Sequence, residues 1–172
     1  MKQKNQERLM DYELANSLWE YRDGHLYWKI KAGRGQAVKH PGDNVGGSEG
    51  RYGYVYASWK RKKYAAHRII FLLAHKYLPI AIDHKDGNPR NNTVENLRAA
   101  TLSQNQYNRC VNRNSKTGLK NVCFHMQNRN WVVRLWKGKK HIFFGSYSTV
   151  EEAQKIAVKA RETLYGEFAR HA

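Results

Sequence analysis

Apolar positions change their period several times along the chain, and each change predicts an element. Tyr12, Leu14, Ala15, Leu18 and Trp19 recur at helical spacing and predict a helix over Tyr12 to Tyr21. Next comes YRDGHLYWK, with Asp23-Gly24 between apolar flanks as in a two-residue hairpin. From Gly42 to Arg68, aromatic and small residues alternate between glycine turns and predict short strands. Arg68 to Tyr77 is an apolar, helix-prone run that Pro79 terminates, and it reads as a buried helix that backs the next element. That element is IDHKDGNPRNN, an apolar run that ends on an acid and a histidine and breaks into turn residues. Thr101 and Gln104 then fit a capping box, so a helix should begin near Leu102 with Asn105 in its first turn. Two strands around the DGNPRNN connection plus this helix make a ββα unit.

The final third has its own pattern. NVCFH, NWVVRLW and HIFFGSY are three short β-rich segments. STVEEAQKIAVKARETLYGEFA is an amphipathic helix with Ala153, Ile156, Ala157, Ala160 and Leu164 on one face, and Ser148 and Glu151 fit its capping box. Strand alternation turns Val122, Phe124, Trp131, Val133, Leu135, Ile142 and Phe144 toward that helix. It leaves Lys120 near the start of the sheet, and Cys123, His125, Arg134, Trp136, His141 and Phe143, on an open face. The expected fold class is α+β: a ββα module, then a three-stranded antiparallel sheet packed on one helix. The expected divisions are an N-terminal β-rich part (1–66), the ββα core (67–111), a linker (112–117) and the C-terminal module (118–172).

Charge narrows the function. The 172 residues carry 31 Lys+Arg against 14 Asp+Glu, a formal +17. It divides as +6 over residues 1–66, +4 over 67–115 and +7 over 116–172, so it is not a basic tail on a neutral domain. Such an excess suits a polyanion, and nucleic acid leads. No apolar run approaches the roughly 20 residues that span a bilayer, and no N-terminal signal pattern is present, so a soluble intracellular protein is expected, with no membrane partner. Cys110 and Cys123 lie far from any CxxC spacing and fit neither a disulfide framework nor a zinc site.

The chemistry concentrates around Asp83 and His84. Alone, an Asp-His pair before a turn could simply cap it. Here eleven residues separate His84 from Asn96 and eight separate Asn96 from Asn105. Together with His67-Arg68, Asp83-His84-Lys85-Asp86-Gly87-Asn88, Asn91-Asn92, Asn96-Leu97, Thr101 and Gln104-Asn105, that spacing resembles the HNH nucleases of the phage and intron-borne homing type. The resemblance implies a ββα-metal site in which Asp83 and Asn105 are metal ligands, His84 is the general base and Asn96 orients the catalytic strand. Many members have histidine where Asn105 stands; an amide oxygen shifts the expected cofactor to one magnesium or manganese ion rather than zinc.

That implied set meets the needs of phosphodiester hydrolysis, which requires a water made nucleophilic and a cation against the charge on the phosphorane and the leaving 3′ oxygen. Neighbouring strand residues point to opposite faces, so bringing Asp83 and His84 to one phosphate calls for a distortion at the strand end. His67 could bond the scissile phosphate or be structural. His75 reads as a core or boundary residue of its helix. Arg90, Arg98, Arg109 and Arg113 flank the site, where they could hold phosphates or be solvated.

Residues 117–169 are similar to the plant ethylene-response-factor DNA-binding domain, on the strength of GLKNV, NWVVRLW, FFGSY and TVEEA. That similarity implies a sheet laid in the major groove, with Lys120, His125, Arg134, Trp136, His141 and Phe143 taking the contact positions. Several arginines of the plant domain are replaced here by Cys123, His125 and Trp136, so base preference does not carry over, and a basic sheet that holds phosphates without sequence preference stays open. The combined expectation is a metal-dependent DNA endonuclease of the HNH homing type, acting as a monomer on double-stranded DNA in the cytoplasm of a bacterial host. The alternative is a non-catalytic DNA-binding regulator on a degenerate nuclease fold.

Overall fold

The computed structural model describes residues 10–50, 52–111, 114–115 and 117–171. Half of the expected linker (112, 113 and 116), Arg113 among it, lies outside the described residues. The chain forms two compact units that divide after Ala99.

The first unit opens with helix α1 (Tyr12–Leu18), capped by Asp11, whose carboxylate accepts the Leu14 N–H at 2.7 Å. The helix ends three residues short of the expected Tyr21, because Trp19–Arg22 instead form strand β1 and pair antiparallel with β2 (His25–Trp28). The Asp23-Gly24 turn is as expected, with φ of 46° and 81° at its two positions. Pairing places Trp19 opposite Trp28 with ring centroids 5.6 Å apart, both buried. Burial of two indoles outweighs one more turn of a short helix.

Strands β3 (Ser48–Glu49), β4 (Val55–Trp59) and β5 (Lys62–Ala65) form the antiparallel sheet expected from the glycine-punctuated stretch. Helix α2 (Ala66–His75) begins two residues before Arg68 and stops where Lys76 turns left-handed at φ 62°, ahead of Pro79. Its Ile69, Ile70, Phe71 and Leu72 are buried in one core with Trp19, Trp28, Ala57, Ile82 and Leu97. Those last two belong to β6 (Ala81–His84) and β7 (Leu97–Ala100), which pair as a two-stranded sheet, so α2 does back the Asp83-His84 strand.

The second unit begins with helix α3 (Leu102–Tyr107), and both hydrogen bonds of the Thr101/Gln104 capping box are present. Strands β8 (Val122–His125), β9 (Asn130–Lys137) and β10 (Lys140–Tyr147) make an antiparallel sheet in the order β10-β9-β8, with a bulge between Phe143 and Gly145. Helix α4 (Val150–Tyr165) covers one face and buries Ala153, Ala157 and Ala160 against Val122, Val133 and Leu135. Its cap is Thr149, not Ser148: the helix starts one residue later than expected, so the Thr149 hydroxyl takes the Glu152 N–H. Phe124 is on the inward side, but at the strand's far end, where it is 40% exposed and rests on Trp131.

Although the motif groups α3 with the upstream strands, its packing is with the C-terminal unit. Tyr107 stacks on Tyr165 at 4.0 Å and its hydroxyl accepts the Gly138 N–H. No helix among the described residues is long and apolar enough to cross a membrane.

Leu135 is fully buried between sheet and α4. Leu135→Ala should destabilise the second unit by about 2–5 kcal/mol. Hydrogen exchange is the measurement: β8–β10 amides should lose protection while those of β2 and α2 keep theirs, and uniform loss in both units would contradict two separately stabilised cores.

Candidate functional site

The site is built on a tied connection. Between β6 and β7, residues 85–96 form a loop whose turn residues bond one another: Asn88 N–H to Asp86 Oδ1 (2.8 Å), Asn91 Nδ2 to Asp86 Oδ2 (2.8 Å) and Arg90 N–H to Asn88 Oδ1 (3.1 Å). The buried Asn96 side chain closes it, donating through Nδ2 to Asp86 Oδ1 (2.9 Å) and to the Asn91 carbonyl (2.7 Å) while Oδ1 accepts the Asp86 N–H (3.1 Å). Burial opposes ionisation of Asp86, but the hydrogen bonds from Asn88, Asn91 and Asn96, with His84 nearby, hold its carboxyl below the usual range. Tyr21 of the first hairpin braces the far end of the loop by accepting the Val94 N–H at 3.3 Å.

His84, at the end of β6, is buried, and its Nε2 lies 3.0 Å from Asn92 Oδ1. An amide oxygen there puts the ring proton on Nε2 and the basic lone pair on Nδ1. The ring sits in an aromatic cluster, 5.2 Å from His67 at the start of α2 and 6.0 Å from Tyr54. Gly53 sets Tyr54 in place: its φ is 82°, and a Cβ on it would come within 3.3 Å of Pro89. Burial, then the neighbouring His84 and Arg68, pulls the His67 pKa down to about 3, so His67 is neutral near pH 7.

Asp83 is buried too, and Arg98 on β7 donates to its Oδ2 through Nε (2.8 Å) and Nη2 (2.7 Å). Asp83 and His84 thus leave the strand toward separate partners, as regular alternation dictates, and the first left-handed residue beyond them is Gly87 at φ 68°. Arg98 is an ion-pair partner rather than a solvated flank. Asn105 is half-buried in α3 of the second unit. Among the described residues no group of three or more His, Cys, Asp or Glu could hold a metal ion.

Arg90 and Arg109 are both exposed. So is His75, although its ring lies 4.2 Å from Phe71. On the sheet of the second unit Cys123, His125, Arg134, Trp136, His141 and Phe143 are exposed as alternation predicts, with Trp136 against His141 at 3.5 Å and Arg134 over the Phe143 ring. Val132 shares that face yet is buried. Lys120 is different: its ammonium donates to the carbonyls of Tyr107 (2.6 Å) and Arg170 (3.2 Å), and burial, with Arg161 and Arg170 nearby, lowers its pKa to about 8. It is a strut inside the second unit. Sequence reasoning assigned no role to Asn92, Asp86 or Tyr54; the Asn91-Asn92 doublet and the acid of the Asp86-Gly87-Asn88 turn were the signals available for the first two.

Residues 64–107 match the HNH endonuclease family. The chain is 34% identical over 90 residues to protein 3.8 of Escherichia phage T7, covering 52% of this chain and 73% of that protein. It is 33% identical over 123 residues to an uncharacterized HNH endonuclease of Acanthamoeba polyphaga mimivirus, covering 70% of this chain and 63% of the relative. No solved structure matches it significantly.

A His67 pKa near 3 against an ordinary value of 6.5 has a definite sign. Below about pH 6.5 the unfolded chain takes up a proton that the folded chain refuses, so this group's contribution to stability is full above 6.5 and is lost as pH falls toward about 3. The His67 Cε1 proton resonance should therefore not move between pH 8 and 5. The stability difference between wild type and His67→Phe should change across the acid window. A His67 midpoint near 6.5 would contradict the buried, neutral ring.

Proposed function

The chain belongs to the HNH endonuclease family, whose domain it carries at residues 64–107, and from that premise we propose that it is a divalent-metal-dependent endonuclease that hydrolyses double-stranded DNA. The observation that carries the proposal is the buried Asp83-His84 pair at the end of β6, with His84 Nε2 held by Asn92 and the adjoining loop locked by Asn96. His84 is the general base: with the proton on Nε2, Nδ1 takes a proton from the attacking water. Asp83 and Asn105 would supply oxygen ligands to a magnesium or manganese ion, whose positive charge would offset the negative charge developing on the phosphorane and the leaving 3′ oxygen. Asn96 is a positioning residue. Cleavage on this route leaves 5′-phosphate and 3′-hydroxyl ends.

Pairing with Arg98 fixes the direction of the Asp83 carboxylate. The Tyr54 and His67 rings beside His84 restrict its rotation. The exposed Arg134, Trp136, His125, His141 and Phe143 of the second unit are the duplex-gripping surface, in the manner of the ethylene-response-factor domains that residues 117–169 resemble. Arg90 and Arg109 add phosphate contacts. Activity of the homing type, by a monomer in a bacterial cytoplasm, is the biological setting that the motif's resemblance supports.

His84→Ala should lower plasmid nicking in magnesium by about 10²–10⁴-fold while duplex affinity stays within a factor of two. Nicking at the wild-type rate would move the base elsewhere. Asp83→Ala and Asn105→Ala should shift the magnesium or manganese titration to higher concentration or abolish activity, and an unchanged titration would remove them as ligands. For the grip, Arg134→Ala with Trp136→Ala should weaken duplex binding and flatten the log-log salt dependence by about 0.9 for each phosphate no longer neutralised. An unaltered slope would take the sheet face out of the interface.

A further inference from the structure

The first unit contains an open cleft of about 950 Å³ lined by none of the residues assigned above. One wall is aromatic: Trp28 and Trp59 have ring centroids 6.1 Å apart, with Tyr56 beside them. The opposite character comes from Arg34, Lys39, Lys60 and Arg61, all exposed, and among the described residues no acidic side chain lines the cleft. Lys60 lies over the Trp59 ring, its ammonium 5.8 Å from the centroid.

The placement of two of these cations is unusual. Lys60 and Arg61 are the two-residue turn between β4 and β5, with φ of 47° and 63°. Turns of this shape favour Asn-Gly, because side chains with a Cβ are strained at positive φ. A chain selected only for a stable hairpin has no reason to place two long cations in this turn. Strained positions gather at sites of function, and here the strain holds two adjacent positive charges at the lip of an aromatic cleft.

Cations that track a phosphate backbone, next to tryptophan faces in a concavity, are the combination that recognises single-stranded nucleic acid. In a duplex the base faces are stacked and hidden, and the convex backbone cannot enter a recess; an unstacked strand offers both bases and phosphates. A volume of about 950 Å³ accommodates nucleotides, not a double helix. We propose that this cleft is a single-strand DNA site, in which bases stack on Trp59 while Arg34, Lys39, Lys60 and Arg61 hold the phosphates. The proposal does not depend on the nuclease assignment or on the second unit's sheet.

The test uses the full chain in EDTA, with a fluorescent thymidine octanucleotide as the probe and a duplex octanucleotide and heparin as comparisons. The decisive variant joins Lys60→Asn with Arg61→Gly: it removes both cations and installs the residues the turn prefers, so its melting temperature should be equal or higher. Octathymidylate affinity should fall at least tenfold, and its salt slope should flatten by about 1.4, at roughly 0.7 for each of two phosphate contacts. Trp59→Ala should weaken octathymidylate binding by a similar factor and quench less tryptophan fluorescence on titration. Unchanged octathymidylate affinity in the turn variant overturns the proposal, as does an equal loss of duplex and heparin binding, which would make the cleft a general polyanion surface.

Discussion

The loop that joins β6 to β7 depends on the clasp that the Asn96 carboxamide makes across it. A twelve-residue connection rich in Gly, Asn and Pro has many alternative conformations, and its closure costs chain entropy. Asn96 restricts them because an amide can donate and accept at once: Nδ2 serves Asp86 and the Asn91 carbonyl, and Oδ1 takes the Asp86 N–H. Aspartate at 96 would set two carboxylates together, and alanine would leave partly buried polar groups without partners, at about 1–3 kcal/mol each. The backbone of Asn96 adds a further tie, its carbonyl accepting the Lys85 N–H at 2.9 Å. With the loop fixed, Asn92 is delivered to His84, eight positions away in sequence and 3.0 Å away in space.

Beside that clasp, the His84 ring lies 5.2 Å from a second histidine, His67. Burial keeps His67 neutral through the working range, so it serves as a steric and aromatic support and adds no charge. Asp83 is held in its own way. The Arg98 guanidinium, paired through two nitrogens with its Oδ2, fixes the direction of the buried carboxylate. Arg98 bonds the first of the two side chains that the motif sets side by side, and Asn92 the second.

Features set by neighbours in sequence are legible from the sequence alone. The Asp23-Gly24 turn, the Thr101/Gln104 capping box and the alternation of the last three strands depend on a few adjacent residues, and all are present. Features decided by distant partners are not. Trp19 fits the helical period of α1 as well as it fits a strand, and only its pairing with Trp28 decides. Serine and threonine at 148 and 149 are equivalent caps until the helix start is fixed. Lys120 belongs to the open face by its place in the sequence, yet carbonyls of Tyr107 and Arg170 draw its ammonium inward. In the candidate site, the motif points to Asp83, His84 and Asn96; the groups that bond the first two, Arg98 and Asn92, come from across the sheet and the loop.

Helix α3 shows why motif boundaries and folding boundaries need not agree. Six residues are too few for a helix to persist on its own capping and propensity. What holds α3 beyond its capping box is tertiary: the parallel stack of Tyr107 on Tyr165, the Tyr107 hydroxyl on the turn at Gly138, and the Lys120 ammonium on the Tyr107 carbonyl. Arg161 extends the same support by donating to the Lys120 carbonyl at 2.7 Å. The residues that fix the conformation of the Asn105 helix are therefore on the β9–β10 turn, at the end of α4 and before β8, all downstream of the motif. A cut in the chain between 111 and 118 keeps every motif residue and removes those supports. The C-terminal unit is thus part of what shapes the motif's last helix.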